Sequence, residues 1–400
     1  MILTMKDKQR IETIQYVMDH RLTIEEATRV LHLSERQIFR MLKRLRTEGL
    51  SGLLHKNRGR PNPRKLSLEQ RQHILDLVQD KYRDINDTHL SEVLARAEKI
   101  HISRECLRRI LRHAHLPPKR KRRSPKYRSR RPRREAFGMM LQIDASPHDW
   151  LQDRGPPFTL VGAKDDATGY VWAHFVESET TWAYLDLMRE VFSSHGLPLS
   201  LYSDRHTIFH SPREPSVLEQ LYNQKPFTQF GRAMHQLGIS IIKAYSPEAK
   251  GRIERQWGVF QDRLVVELRL AHASTIQHAN AVLKNVLKDS NQRFTVPPKQ
   301  QTSVFRKPPA TTLLNQILCI KETRTVAKDH TVSFEGITLQ IPPSKKFRSL
   351  AGQKVEVLQL QNGSVEIVYR RMLVARFSEA VISHMLQSNP SPLTTLKMVA

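Results

Sequence analysis

Along the chain, the apolar positions change their period twice. From Lys6 to Leu54 they return every three or four residues, which predicts three helices. Thr23 opens TIEEATRVLHL and Ser34 opens SERQIFRMLKRLRTEG, where Ser34 and Gln37 have capping-box spacing and Gly49 is a stop signal. The break at His32 and Leu33 makes this segment a helix-turn-helix. On its second helix Ile38, Leu42 and Leu45 share one face, and Arg36, Arg40, Lys43 and Arg44 share the other, a charged face that can enter a DNA major groove. A second three-helix pattern runs from Ser67 to Leu116. It ends in ISRECLRRILRHAHL, with Ser103 as N-cap, Leu107, Ile110 and Leu111 as the apolar stripe, and Arg104, Arg108 and Arg112 outside it.

From Phe137 strands and helices alternate. GMMLQIDAS is an apolar strand that carries Asp144; TLVGAK and YVWAHFVES make a hairpin around a turn in which Asp165 and Asp166 read as turn residues. A helix from Thr180 to Ser194, a strand ending at Asp204, a helix around Phe227 to Leu237, the strand ISIIKAYS and a helix beginning near Pro247 follow. That last helix packs through Ile253, Trp257, Phe260 and Leu264, with Glu254 at the margin of the stripe. Hairpin strands followed by alternating units predict a mixed five-stranded sheet flanked by helices. From Glu322 to Phe377 apolar and polar residues alternate around an Asn362-Gly363 turn, which predicts a small β-barrel. The expected organisation is multidomain: a helix-turn-helix domain over 1–55, a linker over 56–66, a second helical domain over 67–116, a basic linker over 117–135, an α/β domain over 136–298, the barrel over 315–378 and a tail over 379–400.

Charge narrows the partners. Lys and Arg number 65 against 39 Asp and Glu, a net charge of +26 over 400 residues, and such a surplus repels itself unless a polyanion is present. Double-stranded DNA is the expected partner. PPKRKRRSPKYRSRRPRR, from Pro117 to Arg134, holds eleven Lys/Arg, four prolines and no acid, so Arg120, Arg122 and Arg123 are expected along phosphates. KNRGRPNPRK, from Lys56, sets Arg58 and Arg60 around Gly59 as in a minor-groove insert. Two cysteines, Cys106 and Cys319, exclude a disulfide scaffold and a Cys-rich zinc finger. No apolar run of membrane length occurs, so no membrane partner is expected.

Asp144, Asp204 and Glu254 fall on a strand, a strand end and a helix start, 60 and 50 residues apart. With the wording IDASPHDW, YSDRHTIF and GRIERQWGVFQDRL, the chain resembles the DDE transposases and integrases of the RNase H-like superfamily, most closely bacterial insertion-sequence transposases of the ISNCY type, over nearly its whole length. The resemblance implies an RNase H-like catalytic core in which Asp144, Asp204 and Glu254 hold two divalent cations, Mg²⁺ or Mn²⁺, for two-metal phosphoryl transfer. It implies a DNA transposase that binds the ends of its element, nicks there and joins the 3′-hydroxyl to target DNA, as at least a dimer on DNA. A cytoplasmic, nucleoid-associated protein is expected. The elementary chemistry agrees: oxygen ligands select Mg²⁺ or Mn²⁺ over zinc, and no His/Cys cluster with zinc spacing competes. Lys250, Arg252 and Arg255 around the helix start are expected to hold phosphates, while His148, Asp149, His206 and His210 are polar loop residues within range of the acids. Many relatives follow the second Asp with Asn-Gly and carry a cation seven residues after the Glu; here Arg205 and His206 follow Asp204, and Gln261 holds the later position. The competing readings are a helix-turn-helix regulator with an inactive core, and a nuclease that cuts without joining.

Overall fold

The computed structural model describes residues 3–54, 66–120, 124, 131–221, 226–244, 251–343, 347 and 349–388; Arg58, Arg60, Arg122, Arg123 and Lys250 lie outside the described residues. The chain divides into two compact units, Met1–Arg83 with Ile110–His115, and Asp84–Arg109 with Leu116–Ala400.

In the first unit α1 (Met5–Met18), α2 (Ile24–Leu31) and α3 (Glu35–Glu48) are followed by a 3₁₀ turn over Gly49–Leu53 and by α4 (Leu68–Asp80). The capping residues act locally as their spacing predicts: the Glu26 N–H donates to Thr23 Oγ1 and the Thr23 N–H to Glu26 Oε2, while the Ser34 N–H donates to Gln37 Oε1. His32 takes a left-handed φ of 52° and makes the turn between α2 and α3. Ile14, Ala27, Ile38, Leu42 and Leu53 close a small core, and Arg36, Arg40, Lys43 and Arg44 stand exposed on α3.

The second unit opens with α5 (Asp87–Ala97) and takes in α6 (Arg104–His113) as far as Arg109, the residues from Ile110 belonging to the first; the Cys106 N–H is capped by Ser103 Oγ and Arg108 is paired to Glu105. A five-stranded sheet follows, built from β1 (Leu141–His148), β2 (Phe158–Asp165), β3 (Val171–Val176), β4 (Ser200–Ser203) and β5 (Ser240–Lys243) in the order β3-β2-β1-β4-β5. β1 to β3 are antiparallel; β4 runs parallel to β1, and β5 to β4, so the sheet is mixed as expected. Between the strands lie α7 (Thr181–Ser194), α8 (Val217–Leu221) and α9 (Gln229–Gln236), and after them α10 (Gly251–Leu270), α11 (Ile276–Phe294) and α12 (Thr311–Ile317). On one face Leu141, Ile143, Val161 and Ala163 pack with Tyr184, Met188 and Phe230; on the other Leu160 and Phe175 pack with Ile253, Trp257, Phe260 and Leu264. Helices therefore cover both faces.

α5 is fixed to α10 and α11 by charge. Glu92 accepts from Arg263 and Arg293, and Glu267 pairs with His89 and Arg96. Burial alone would raise the Glu92 carboxyl, but the two guanidinium groups hold it down at about 2.

The C-terminal region departs from the barrel expected for it. β6 (Ile320–Thr325), β9 (Lys354–Gln359), β10 (Val365–Tyr369) and β11 (Met372–Phe377) form an open four-stranded sheet in the order β11-β10-β9-β6, while β7 (Thr331–Phe334) and β8 (Ile337–Gln340) form a separate hairpin; α13 (Glu379–Ser388) follows. Among the described residues no sheet closes. Alternation encodes which face of a strand is buried, and here both pieces bury theirs in one core, Val332, Phe334 and Leu339 against Val355, Val357 and Ile367. Closure also needs edge strands that hydrogen-bond with a matched stagger, which alternation does not specify. No helix among the described residues is long and apolar enough to cross a membrane.

Candidate catalytic site

β1 and β4 are paired with Leu141 beside Leu201 and Gln142 beside Tyr202; Asp144 lies two residues further along β1, and Asp204 directly follows the end of β4 at Ser203. α10 approaches from one face. Opposite Asp144 on β2 stands Gly162, where an added Cβ would lie 2.6 Å from Trp257 Cη2, so the missing side chain lets the indole lie on the sheet. From there Trp257 Nε1 donates to Asp144 Oδ2 at 3.0 Å, and one turn later Gln261 Nε2 donates to Ser146 Oγ at 3.1 Å. Glu254 belongs to the same stripe, one turn before Trp257, and is exposed.

Tyr184 on α7 reports the two aspartates. Burial raises its hydroxyl well above the ordinary phenol range, Glu179 adds to this by charge and by accepting its hydrogen bond at 2.7 Å, and Asp144 and Asp204 both push the same way. One buried phenol thus lies in the field of both carboxylates. The His206 backbone N–H donates to Asp204 Oδ1 at 3.0 Å, and His210 Nε2 is 3.3 Å from Ser203 Oγ, so both histidines stand beside Asp204. His148 ends β1 four residues beyond Asp144, about 13 Å along the strand, and Asp149 follows it outside the strand. Among the described residues no three His, Cys, Asp or Glu side chains gather into an ion-holding group. Asp144, Asp204 and Glu254 are thus not gathered into one such group.

The turn residues divide in role. Asp165 accepts from the Thr168 N–H and hydroxyl and from the Gly138 N–H, as a turn aspartate does. Asp166 is fully buried and is a hub that the sequence pattern does not reveal: it binds Arg131 and Arg252, accepts from the Arg134 N–H at 2.8 Å and from Gln142 Nε2 at 3.1 Å. Arg252, expected beside a phosphate, is found in this ion pair and also donates to the Arg131 carbonyl at 2.7 Å. Gln142 Oε1 in turn accepts from the Ile253 N–H at 3.1 Å, so the first turn of α10 is tied to β1 on the side where Glu254 emerges. Burial would raise the Asp166 carboxyl, but Arg131, the Arg134 N–H and Arg252 hold it below the usual carboxylate range. Removing the carboxylate strands Arg252, so Asp166→Ala is expected to cost about 3 kcal/mol and roughly 6–12 °C in melting temperature at pH 7. Because the folded pKa is depressed, this contribution is present above the unfolded value and disappears as pH falls through the folded one; the gap between variant and wild type in thermal melts should narrow in acid.

Comparison with known proteins places the chain. Residues 9–61 match the model of a helix-turn-helix domain and residues 37–111 that of a homeodomain-like domain. The chain is 35% identical to the “Putative transposase y4bF” of Sinorhizobium fredii over 91% of its own length and 79% of that protein. The chain belongs to the transposases. The transposase for insertion sequence IS1202 of Streptococcus pneumoniae is 30% identical, covering 83% of this transposase and 77% of that one. Among solved structures, the catalytic core domain of BIV integrase is 20% identical, with a TM-score of 0.28, over 39% of this chain and 85% of that one, a likeness too slight to add to the assignment.

Proposed function

We propose that this transposase binds the ends of its element, hydrolyses a strand there and joins the freed 3′-hydroxyl to target DNA, with Asp144, Asp204 and Glu254 as its catalytic acids. The observation that carries the reading is the hydrogen bond from Trp257 to Asp144, which ties β1 to the helix that bears Glu254 a turn away, while the parallel pairing of β1 with β4 runs toward Asp144 and Asp204. The donors are carboxylate oxygens, a set that fits two Mg²⁺ or Mn²⁺ ions. Bound there, such ions lower the pKa of attacking water and neutralise charge on the leaving oxygen.

Each residue's task follows from its position. Asp144 and Asp204 are fixed on neighbouring strands and supply preset oxygens; the Trp257 indole orients the Asp144 carboxylate in advance. Glu254, on an exposed helix margin, completes the set by side-chain rotation. Carboxylates held within about 4 Å repel by roughly 4 kcal/mol at an effective dielectric of 20, so the full cluster assembles with its cations and not before. At the other end of the chain, Arg36, Arg40, Lys43 and Arg44 face outward from α3 toward a major groove, Arg104 and Arg112 serve the second reader, and the basic linker with Arg120 follows the phosphates. Two element ends must be brought together, which requires at least a dimer, working in the cytoplasm at the nucleoid.

The test is a supercoiled plasmid carrying the element's two ends. With Mg²⁺, nicks at the ends and joined products are expected, and EDTA should abolish both while the DNA stays bound. Nicks that persist in EDTA, or nicks that never lead to a joined product, would overturn the reading.

A further inference from the structure

We propose that Lys164, Arg133 and Arg255 form a binding site for one backbone phosphate of the DNA, next to the catalytic acids. This rests on the reading of Asp144, Asp204 and Glu254 as the catalytic acids of a transposase that cuts DNA.

Lys164 on β2 is paired with Gln142 on β1, and residues paired across a sheet point to the same face. That face is the one α10 covers: Lys164 Nζ donates to Gln256 Oε1 at 2.8 Å, a neutral amide, and Arg255, the residue before it on the helix, is exposed. Arg133 arrives from the chain before β1 and is anchored through Nη1 on the Ala167 carbonyl at 2.9 Å. Arg133 and Lys164 converge above Gly169: a Cβ added there would lie 3.5 Å from Arg133 Nη1 and 3.7 Å from Lys164 Cε. Gly169 has φ of +81°, so glycine both permits the turn and leaves the space between the two cations open.

The neighbouring anions are already committed. Asp166 is taken by Arg131 and Arg252, and Asp165 by the turn N–H groups and the Thr168 hydroxyl. Among the described residues no carboxylate forms an ion pair with Lys164, Arg133 or Arg255. A half-buried ammonium among guanidinium groups is costly as it stands, and burial, then Arg133, Arg255 and Arg252, pull Lys164 down to about 8. An anion seated there relieves both desolvation and repulsion. On DNA the available anion is a phosphodiester oxygen, and the site lies level with Gln142, two residues or about 6.6 Å along the strand from Asp144. That offset suits a phosphate flanking the one that reacts.

The full chain should be titrated in EDTA, where no cutting occurs, with a duplex carrying the element's end in which each phosphate in turn is replaced by a neutral methylphosphonate. Wild type is expected to lose about fivefold in affinity at one phosphate beside the cleavage position. Lys164→Met should bind the unmodified duplex about fivefold more weakly, lose nothing further at that same position, and show a salt slope smaller by about one. Arg133→Gln and Arg255→Gln should show the same non-additivity, and Lys164→Arg should restore wild-type behaviour. A Lys164→Met protein that melts like wild type yet binds with unchanged affinity, or whose loss adds to every methylphosphonate equally, overturns the proposal. So does a flat scan accompanied by competition from millimolar inorganic phosphate, which would make the occupant a free ion. Binding is read without cleavage, so absence of catalysis would refute the proposed reaction and leave this measurement intact.

Discussion

Asp144→Asn, Asp204→Asn and Glu254→Gln should each leave binding to an element-end duplex unchanged and lower strand cleavage by about 10³-fold or more. Each substitution keeps size and hydrogen-bonding capacity and removes one negative charge from the proposed cation site. For Asp144→Asn the Trp257 N–H still finds an amide oxygen, so packing at Gly162 and the β1–β4 register are retained. What is lost is charge stabilisation of the transition state, worth several kcal/mol for a bound metal; about 4 kcal/mol corresponds to 10³ in rate. Single-turnover cleavage beside a binding titration separates the two effects, with Asp149→Asn as an expected near-wild-type control because Asp149 caps the Gln152 N–H at 2.8 Å away from the acids. If any one of the three variants cuts as wild type does, that residue is not a catalytic acid.

The second large effect is one of ionic strength. A chain of net charge +26 that presents Arg36, Arg40, Lys43 and Arg44 on one exposed helix binds phosphates by releasing counterions. With 6–10 phosphates neutralised, affinity for an element-end duplex should fall by roughly 10³–10⁵ between 50 and 200 mM salt. Neutralising all four α3 cations by substitution to Gln should flatten the slope by about the number of those that touch phosphate. A titration that is flat over this range would mean the surplus charge serves something other than DNA.

What the sequence makes legible here is mostly local. Thr23 with Glu26 and Ser34 with Gln37 cap helices through neighbours three residues away, and the stripe Ile253, Trp257, Phe260 and Leu264 follows from helix period alone. The mixed character of the sheet is legible as well, because hairpin strands followed by alternating units leave few arrangements. Contacts between distant residues leave no such trace. Asp166 sits in a run that reads as turn chemistry, and nothing near it announces Arg252, 86 residues on, as its partner. Glu92 lies on an ordinary amphipathic helix while its counter-ions come 171 and 201 residues later. α8 leaves no trace because it is a five-residue helix inside a polar, proline-rich insertion, too short to show a period. The C-terminal strands are legible as strands from their alternation, but whether they close is not, since burial pattern and edge pairing are separate properties.

The clamp on α5 has a practical corollary for engineering. A chimaera that exchanged residues 67–116 for those of another transposase, cutting at the apparent linker, would carry Glu92, His89 and Arg96 away from Arg263, Arg293 and Glu267. Arg263 would then lose its carboxylate on the helix that bears Glu254, while Arg293 on α11 would keep only Asp289. A graft that respects the molecule takes α5 and its three partners on α10 and α11 together, as a single transferable piece.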